Sequence, residues 1–156
     1  MNLNNFSEEA TKFIQDILPP VKLLEECKNL SEKYPYIKRS INGYSNLNNP
    51  IEIYEIGEGE KNILIYGFPD PSESIGGTTI LALIKKLVEN DEKLKNYNLK
   101  WIFIPCLNFD DQPYNGEKLG KLMKTFDQEV DWCLNNPRPE TKVLVDISEN
   151  YKPFLV

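Results

Sequence analysis

The sequence predicts an α/β fold, a mixed and mainly parallel sheet with helices on both faces. Three observations carry that expectation. Ile63 to Tyr66 is a short apolar run bounded by turn residues, the pattern of a strand buried on both sides. Thr78 to Val88 sets Ile80, Leu83, Ile84, Leu87 and Val88 at helical spacing, so the chain passes rapidly from strand to amphipathic helix. Leu99 to Pro105, L-K-W-I-F-I-P, reads as a second strand. Strand, crossover helix and strand in succession call for a parallel pair with a right-handed connection. Between the first strand and the helix lies the turn holding Asp70, Ser72 and Glu73. Ligands of open α/β sheets occupy the crevice beyond the strands' carboxyl ends, so a site is expected there.

In chain order, Ser7 can cap a helix with Glu8 and Glu9 in its first turn and Phe13, Ile14 and Ile17 as its apolar stripe, ended by Pro19-Pro20. Val21 to about Tyr34 forms a second helix through Leu23, Leu24, Cys27 and Leu30, stopped by Pro35. Residues 1–34 are thus amino-terminal helices and residues 35–156 the α/β unit, one domain in all. Ile37 to Tyr44 reads as a strand, Ser45 to Asn49 as an Asn-rich turn and Ile51 to Ile56 as the next strand. Gly57-Glu58-Gly59-Glu60 resembles a hairpin connection, so strands 51–56 and 61–66 are expected to pair antiparallel. The crossover helix is expected over Thr78 to Asn90, followed by a charged loop, Asp91 to Asn98. Beyond Cys106 the turn formers Asn108, Asp110, Asp111, Pro113, Asn115 and Gly116 predict a loop, with a short helix within Leu119 to Trp132. Pro137 and Pro139 introduce a helix over Glu140 to Asn150, with Val143, Leu144 and Ile147 on one face, and Phe154 to Val156 open another strand.

Composition narrows the function. Of 156 residues, 40% are hydrophobic, enough for one domain with a core. Eighteen basic against 24 acidic residues give a net charge of -6 with no basic cluster, which argues against nucleic acid or an anionic membrane as partner. No apolar run approaches membrane-spanning length and the amino terminus lacks signal-peptide features, so a cytoplasmic location is expected. Cys27, Cys106 and Cys133 are an odd number at wide spacings, unlike a disulfide framework or zinc knuckle, and read as buried thiols. Histidine is absent, which removes the commonest general base and zinc ligand.

The turn itself allows two readings. Asp70 and Glu73 are candidate ligands for a cation, two carboxylates on one turn suiting a hard ion. The plainer reading, which we favour, has Asp70 or Ser72 capping the following helix and Glu73 in its first turn. Asp110 and Asp111 follow the neighbouring parallel strand and can approach the same sheet edge, although solvated loop acids are the simpler account. Gly76-Gly77-Thr78-Thr79 lacks the Gly-Lys-Ser/Thr ending of a phosphate loop and follows two acids, so no nucleotide site is expected. Trp101, Phe103 and Trp132 read as core aromatics, and Cys106 as a buried thiol rather than a nucleophile.

From Tyr34 to the last residue the chain resembles the amino-terminal half of the zinc carboxypeptidase family. The resemblance rests on pieces in a shared order: Tyr34-Pro35, the G-x-S turn at Gly43 to Ser45, G-F-P-D-P-S-E-S-I-G-G from Gly67 to Gly77, I-P-C-L-N-F-D-D from Ile104 to Asp111, and P-E-T-K-V-L from Pro139 to Leu144. It implies a truncated carboxypeptidase-like fold and an ancestry in zinc-dependent hydrolysis of peptide or cell-wall peptide bonds. In that family a His-x-x-Glu turn and a later His hold zinc, and a distant Glu is the base. Here Glu73 matches while Asp70 stands at the first His position, and Asp111 replaces a turn glycine. The third ligand and the base would both fall beyond Val156. The implied metal site, Asp70 and Glu73, is therefore degenerate, with zinc implied by the family but not expected on this chain and no catalytic residue to assign. Three expectations follow: a chain silent in hydrolysis, a non-catalytic module that binds a peptide or cell-wall peptide or self-associates through an exposed sheet edge, or an active peptidase completed by another subunit.

Overall fold

In the computed structural model, the described residues are 17–70, 73–89, 98–110, 133 and 136–156. Three helices and four strands are found among them: α1 (Pro20–Lys33), β1 (Lys38–Tyr44), β2 (Pro50–Ile56), β3 (Lys61–Tyr66), α2 (Ile75–Glu89), β4 (Leu99–Ile104) and α3 (Pro139–Tyr151). The helices expected from Ser7 and over 119–132 lie outside the described residues.

The strands form one mixed sheet in the order β1-β2-β4-β3. As expected, β3 and β4 run parallel, from Lys61 opposite Leu99 to Tyr66 opposite Ile104. The pairs β1 with β2 and β2 with β4 are antiparallel. The expected hairpin between β2 and β3 does not form, because β4 is inserted between them. The connection crosses the start of β4 instead, with Gly59 N–H donating to Leu99 O and Lys61 N–H to Asn98 O. That crossing needs glycine: Gly57 has φ +91°, and a Cβ on Gly59 would lie 2.0 Å from the Asn98 carbonyl carbon. On the outer side of β3, Leu155 bridges Ile63 in parallel, so the apolar tail does continue the sheet.

Alternation along each strand builds two cores. Tyr54 and Ile56 of β2 and Phe103 of β4 face Leu23 and Cys27 of α1 and Ile80, Ile84 and Val88 of α2. Ile51, Ile53, Leu64, Ile102 and Ile104 face Val143, Leu144 and Ile147 of α3. Helices therefore cover both faces. Each fully buried Leu, Ile or Phe contributes roughly 1.5–3 kcal/mol. Pro20 opens α1, since a proline in the first turn forfeits no hydrogen bond, and Pro19 O accepts from Leu23 N–H.

Candidate functional site at the carboxyl ends of the parallel strands

The turn after β3 is held by backbone. Gly67 N–H donates to Ile104 O and Gly67 O accepts from Leu107 N–H, so the turn and the exit of β4 are knitted together. A side chain on Gly67 would lie 2.5 Å from Pro105 O, and one on Gly77 would meet Leu23 and the Phe68 ring at 2.5 Å. The two glycines thus let strand, turn and helix close on one another. Phe68 is fully buried with φ +57°, a left-handed conformation unusual for a bulky residue. Buried Asn108 donates through Nδ2 to Phe68 O at 2.9 Å and Pro69 O at 2.8 Å.

The structure puts Asp70 and Glu73 on one tight turn, closed by Glu73 N–H to Asp70 O at 3.0 Å. Asp70 is half-buried and Glu73 exposed. Helix α2 begins at Ile75, so Glu73 precedes the first helical turn rather than lying within it as expected. The helix starts three residues before the expected Thr78 because Gly76 and Gly77 are recruited into it for close packing. Ser72 and Asp111 lie outside the described residues.

Asp110 does not join this pair. Its Oδ1 accepts from Ser45 Oγ at 2.5 Å and Asn49 Nδ2 at 2.8 Å, and its Oδ2 accepts from Leu47 N–H at 2.6 Å. The carboxylate is spent on the turn at 45–49, where a backbone N–H and two side chains supply the donors. Glu140, fully buried at the start of α3, assists by accepting from Asn46 N–H at 3.1 Å and faces Arg138 Nε at 3.9 Å. Sequence reasoning missed Asn108, Ser45 and Glu140 as organising groups. The local signal was present in the motifs at 104–111 and 139–144, but the partners lie tens of residues away.

A second polar cluster stands apart. Buried Glu52 accepts from both Arg39 and the Tyr54 hydroxyl. Burial pushes the Glu52 carboxyl up, but the hydrogen bonds from Arg39 and Tyr54 outweigh it and hold the group below its ordinary range. Tyr54 is pushed up by burial and by Glu52. Cys27 and Cys106 are buried as expected, whereas Cys133 is exposed; burial raises both buried thiols, the Asp110 charge adding to the effect at Cys106. Neither is a nucleophile at neutral pH. Trp101 and Phe103 stack at 5.9 Å against the first core.

A mixed sheet with helices on both faces and a turn beyond two parallel strands makes this an α/β protein, and solved carboxypeptidase structures share its fold. Bovine thrombin-activatable fibrinolysis inhibitor, in complex with tick carboxypeptidase inhibitor, matches with a TM-score of 0.67 at 14% identity, over 86% of this chain and 56% of its own. The metallo-carboxypeptidase of Burkholderia cenocepacia matches at 0.64 and 14%, over 81% and 36%. Carboxypeptidase A of Helicoverpa armigera matches at 0.63 and 19%, over 80% and 40%. No curated protein matches in sequence. The model of the zinc carboxypeptidase family matches residues 23–155, and the chain belongs to that family. It spans about a third to just over half of the length of these structures.

The donors at the turn do not suit catalytic zinc, which takes three protein ligands and keeps a position for water. Asp70 and Glu73 offer two, both hard oxygen donors, and both oxygens of Asp110 accept hydrogen bonds from the 45–49 turn. Among the described residues no group of three or more His, Cys, Asp or Glu side chains could hold a metal ion.

Proposed function

We propose that this chain is a carboxypeptidase-fold unit that does not hydrolyse peptide bonds by itself. The observation that carries the reading is the placement of Asp110. The acidic residue after β4, best placed by topology to complete a site with Asp70 and Glu73, is consumed by the 45–49 turn. A water can be activated at neutral pH only by a metal or a suitably tuned base, and the chain has no histidine to serve as either ligand or base. The test is incubation of the purified protein with zinc and peptides bearing free carboxyl termini. No release above the protein-free blank is expected, with zinc well below one per chain after dialysis. Release that depends on zinc and stops with a chelator would overturn the reading.

A second reading, a non-catalytic module that binds a peptide or cell-wall peptide or self-associates, draws support from the outer edge of β3. Phe154, Leu155 and Val156 are 61%, 54% and 68% exposed, and two hydrogen bonds attach them to β3. Exposed apolar strand residues invite pairing with another chain. Light scattering after size exclusion separates the readings: a monomer that retains no peptide or muropeptide discards the second. We place the unit in the cytoplasm, with no nucleic acid or membrane partner, on its acidic charge and lone cysteines. No described helix is long and apolar enough to cross a membrane.

A further inference from the structure

We infer that Asn108 is a positioning residue for the Asp70–Glu73 turn: it acts through the backbone to fix where the two carboxylates stand. Its functional meaning rests on the turn being the family's ligand-bearing turn; its structural role does not.

Between the end of β3 and Asp70 the backbone has few soft dihedrals left free. The chain has two per residue. Pro69 φ is locked by its ring. Phe68 adopts φ +57°, a conformation costing a non-glycine residue on the order of 1–3 kcal/mol and kept only where the surroundings over-determine it. Those surroundings are the fully buried ring on one side and Asn108 on the other. One amide nitrogen, donating to Phe68 O and Pro69 O together, holds two successive carbonyls on the same side and so fixes ψ at both residues. The second carbonyl belongs to the peptide unit that carries the Asp70 N–H, so orienting it aims Asp70. Glu73 N–H to Asp70 O then ties Glu73 to the same frame. No freely rotating backbone bond remains between the sheet and Asp70.

The chemistry requires asparagine. The carboxamide NH2 has two donor hydrogens, one for each carbonyl; a serine hydroxyl has one, and an ionised aspartate has none and would repel both oxygens. Asn108 is itself rigid, since Leu107 N–H is bonded to Gly67 O beside it. It is 1% exposed, so it shapes the turn without reaching a ligand.

The test reads the turn's own amides, so it needs no ligand and is independent of the peptidase assay. In 15N-labelled Asn108→Ala, the Asp70 and Glu73 resonances are expected to shift and their order parameters to fall from about 0.85 to below about 0.6, while Leu64 and Ile102 stay rigid. Asn108→Ser, which keeps one donor, should show a smaller loss and stands in if the alanine variant does not fold. Arg39→Met serves as a destabilised control that leaves the two amides in place. An Asn108 variant whose Asp70 and Glu73 amides do not move, or move only as much as in the control, overturns the inference.

Discussion

Gly76 and Gly77 are neighbours in the first turn of α2, and replacing each by alanine should change stability in opposite directions. Helix propensity alone favours alanine by about 0.5–1 kcal/mol at both positions. Their surroundings differ. A Cβ on Gly76 would meet Gly67 Cα at 3.4 Å and Phe68 N at 3.8 Å, ordinary contact, so Gly76→Ala should stabilise by nearly the full propensity gain. A Cβ on Gly77 would lie 2.5 Å from Leu23 Cδ2, 2.5 Å from Phe68 Cε2 and 2.8 Å from Pro105 O. Leu23 and Phe68 are fully buried and Pro105 O is backbone, so none of the three can yield cheaply. Overpacking of this kind costs about 1–3 kcal/mol, and with the upper value the net effect of Gly77→Ala is about 2 kcal/mol of destabilisation. The two variants should differ by roughly 3 kcal/mol in urea unfolding, or roughly 6–12 °C in melting temperature for a domain of this size. Equal effects, or a stabilised Gly77→Ala, would mean that helix and turn do not close as tightly as described. The reasoning that places Asp70 beside that closure would then fail.

Other outcomes follow from single groups. Arg39→Met leaves the Glu52 carboxylate buried with only the Tyr54 hydroxyl beside it, and should cost about 3 kcal/mol in chemical denaturation, near the low end for breaking a buried ion pair. Native protein treated with a thiol reagent should react quickly at exposed Cys133 and slowly at buried Cys27 and Cys106, a burst of one thiol in three by absorbance. Tyr151 is pushed up to about 12 by burial and by the bond from its hydroxyl to Glu55. Its folded pKa exceeds the unfolded value of about 10, so its stabilising contribution is complete below pH 10 and is lost as pH rises through about 12. Tyr151→Phe should abolish that part of the alkaline decline in stability, followed by denaturation at successive pH values.

The elements were legible because periodicity is local. Tyr54 and Ile56 alternate with Ile53 and Glu55, and Ile80, Ile84 and Val88 recur at helical spacing, whatever they pack against. Sheet order was not legible from the same residues. The segment 57–60 is short enough for a hairpin, yet its two glycines serve to slip past the start of β4, and nothing within those four residues names β4 as the neighbour. The position of the candidate turn followed from a general property of α/β sheets, so Asp70 and Glu73 were found. Which other acid joins them depends on donors 61 to 65 residues away at Ser45, Leu47 and Asn49, a long-range choice that spacing cannot express.

The same contrast separates the groups that shape the turn from the side chains that it carries. The groups that shape the turn, Gly67, Gly77 and Asn108, act on backbone atoms: two by being small enough for close approach, one by bonding carbonyl oxygens. Their effect does not depend on which side chain leaves the turn at position 70. A ligand set depends on nothing else. Exchanging Gly77 or Asn108 therefore disturbs the turn directly, through its backbone. Asp110 shapes the structure in a similar way: its carboxylate accepts three hydrogen bonds that close the 45–49 turn. Exchanging Asp110 should therefore disturb the 45–49 turn, because its carboxylate is part of the structure.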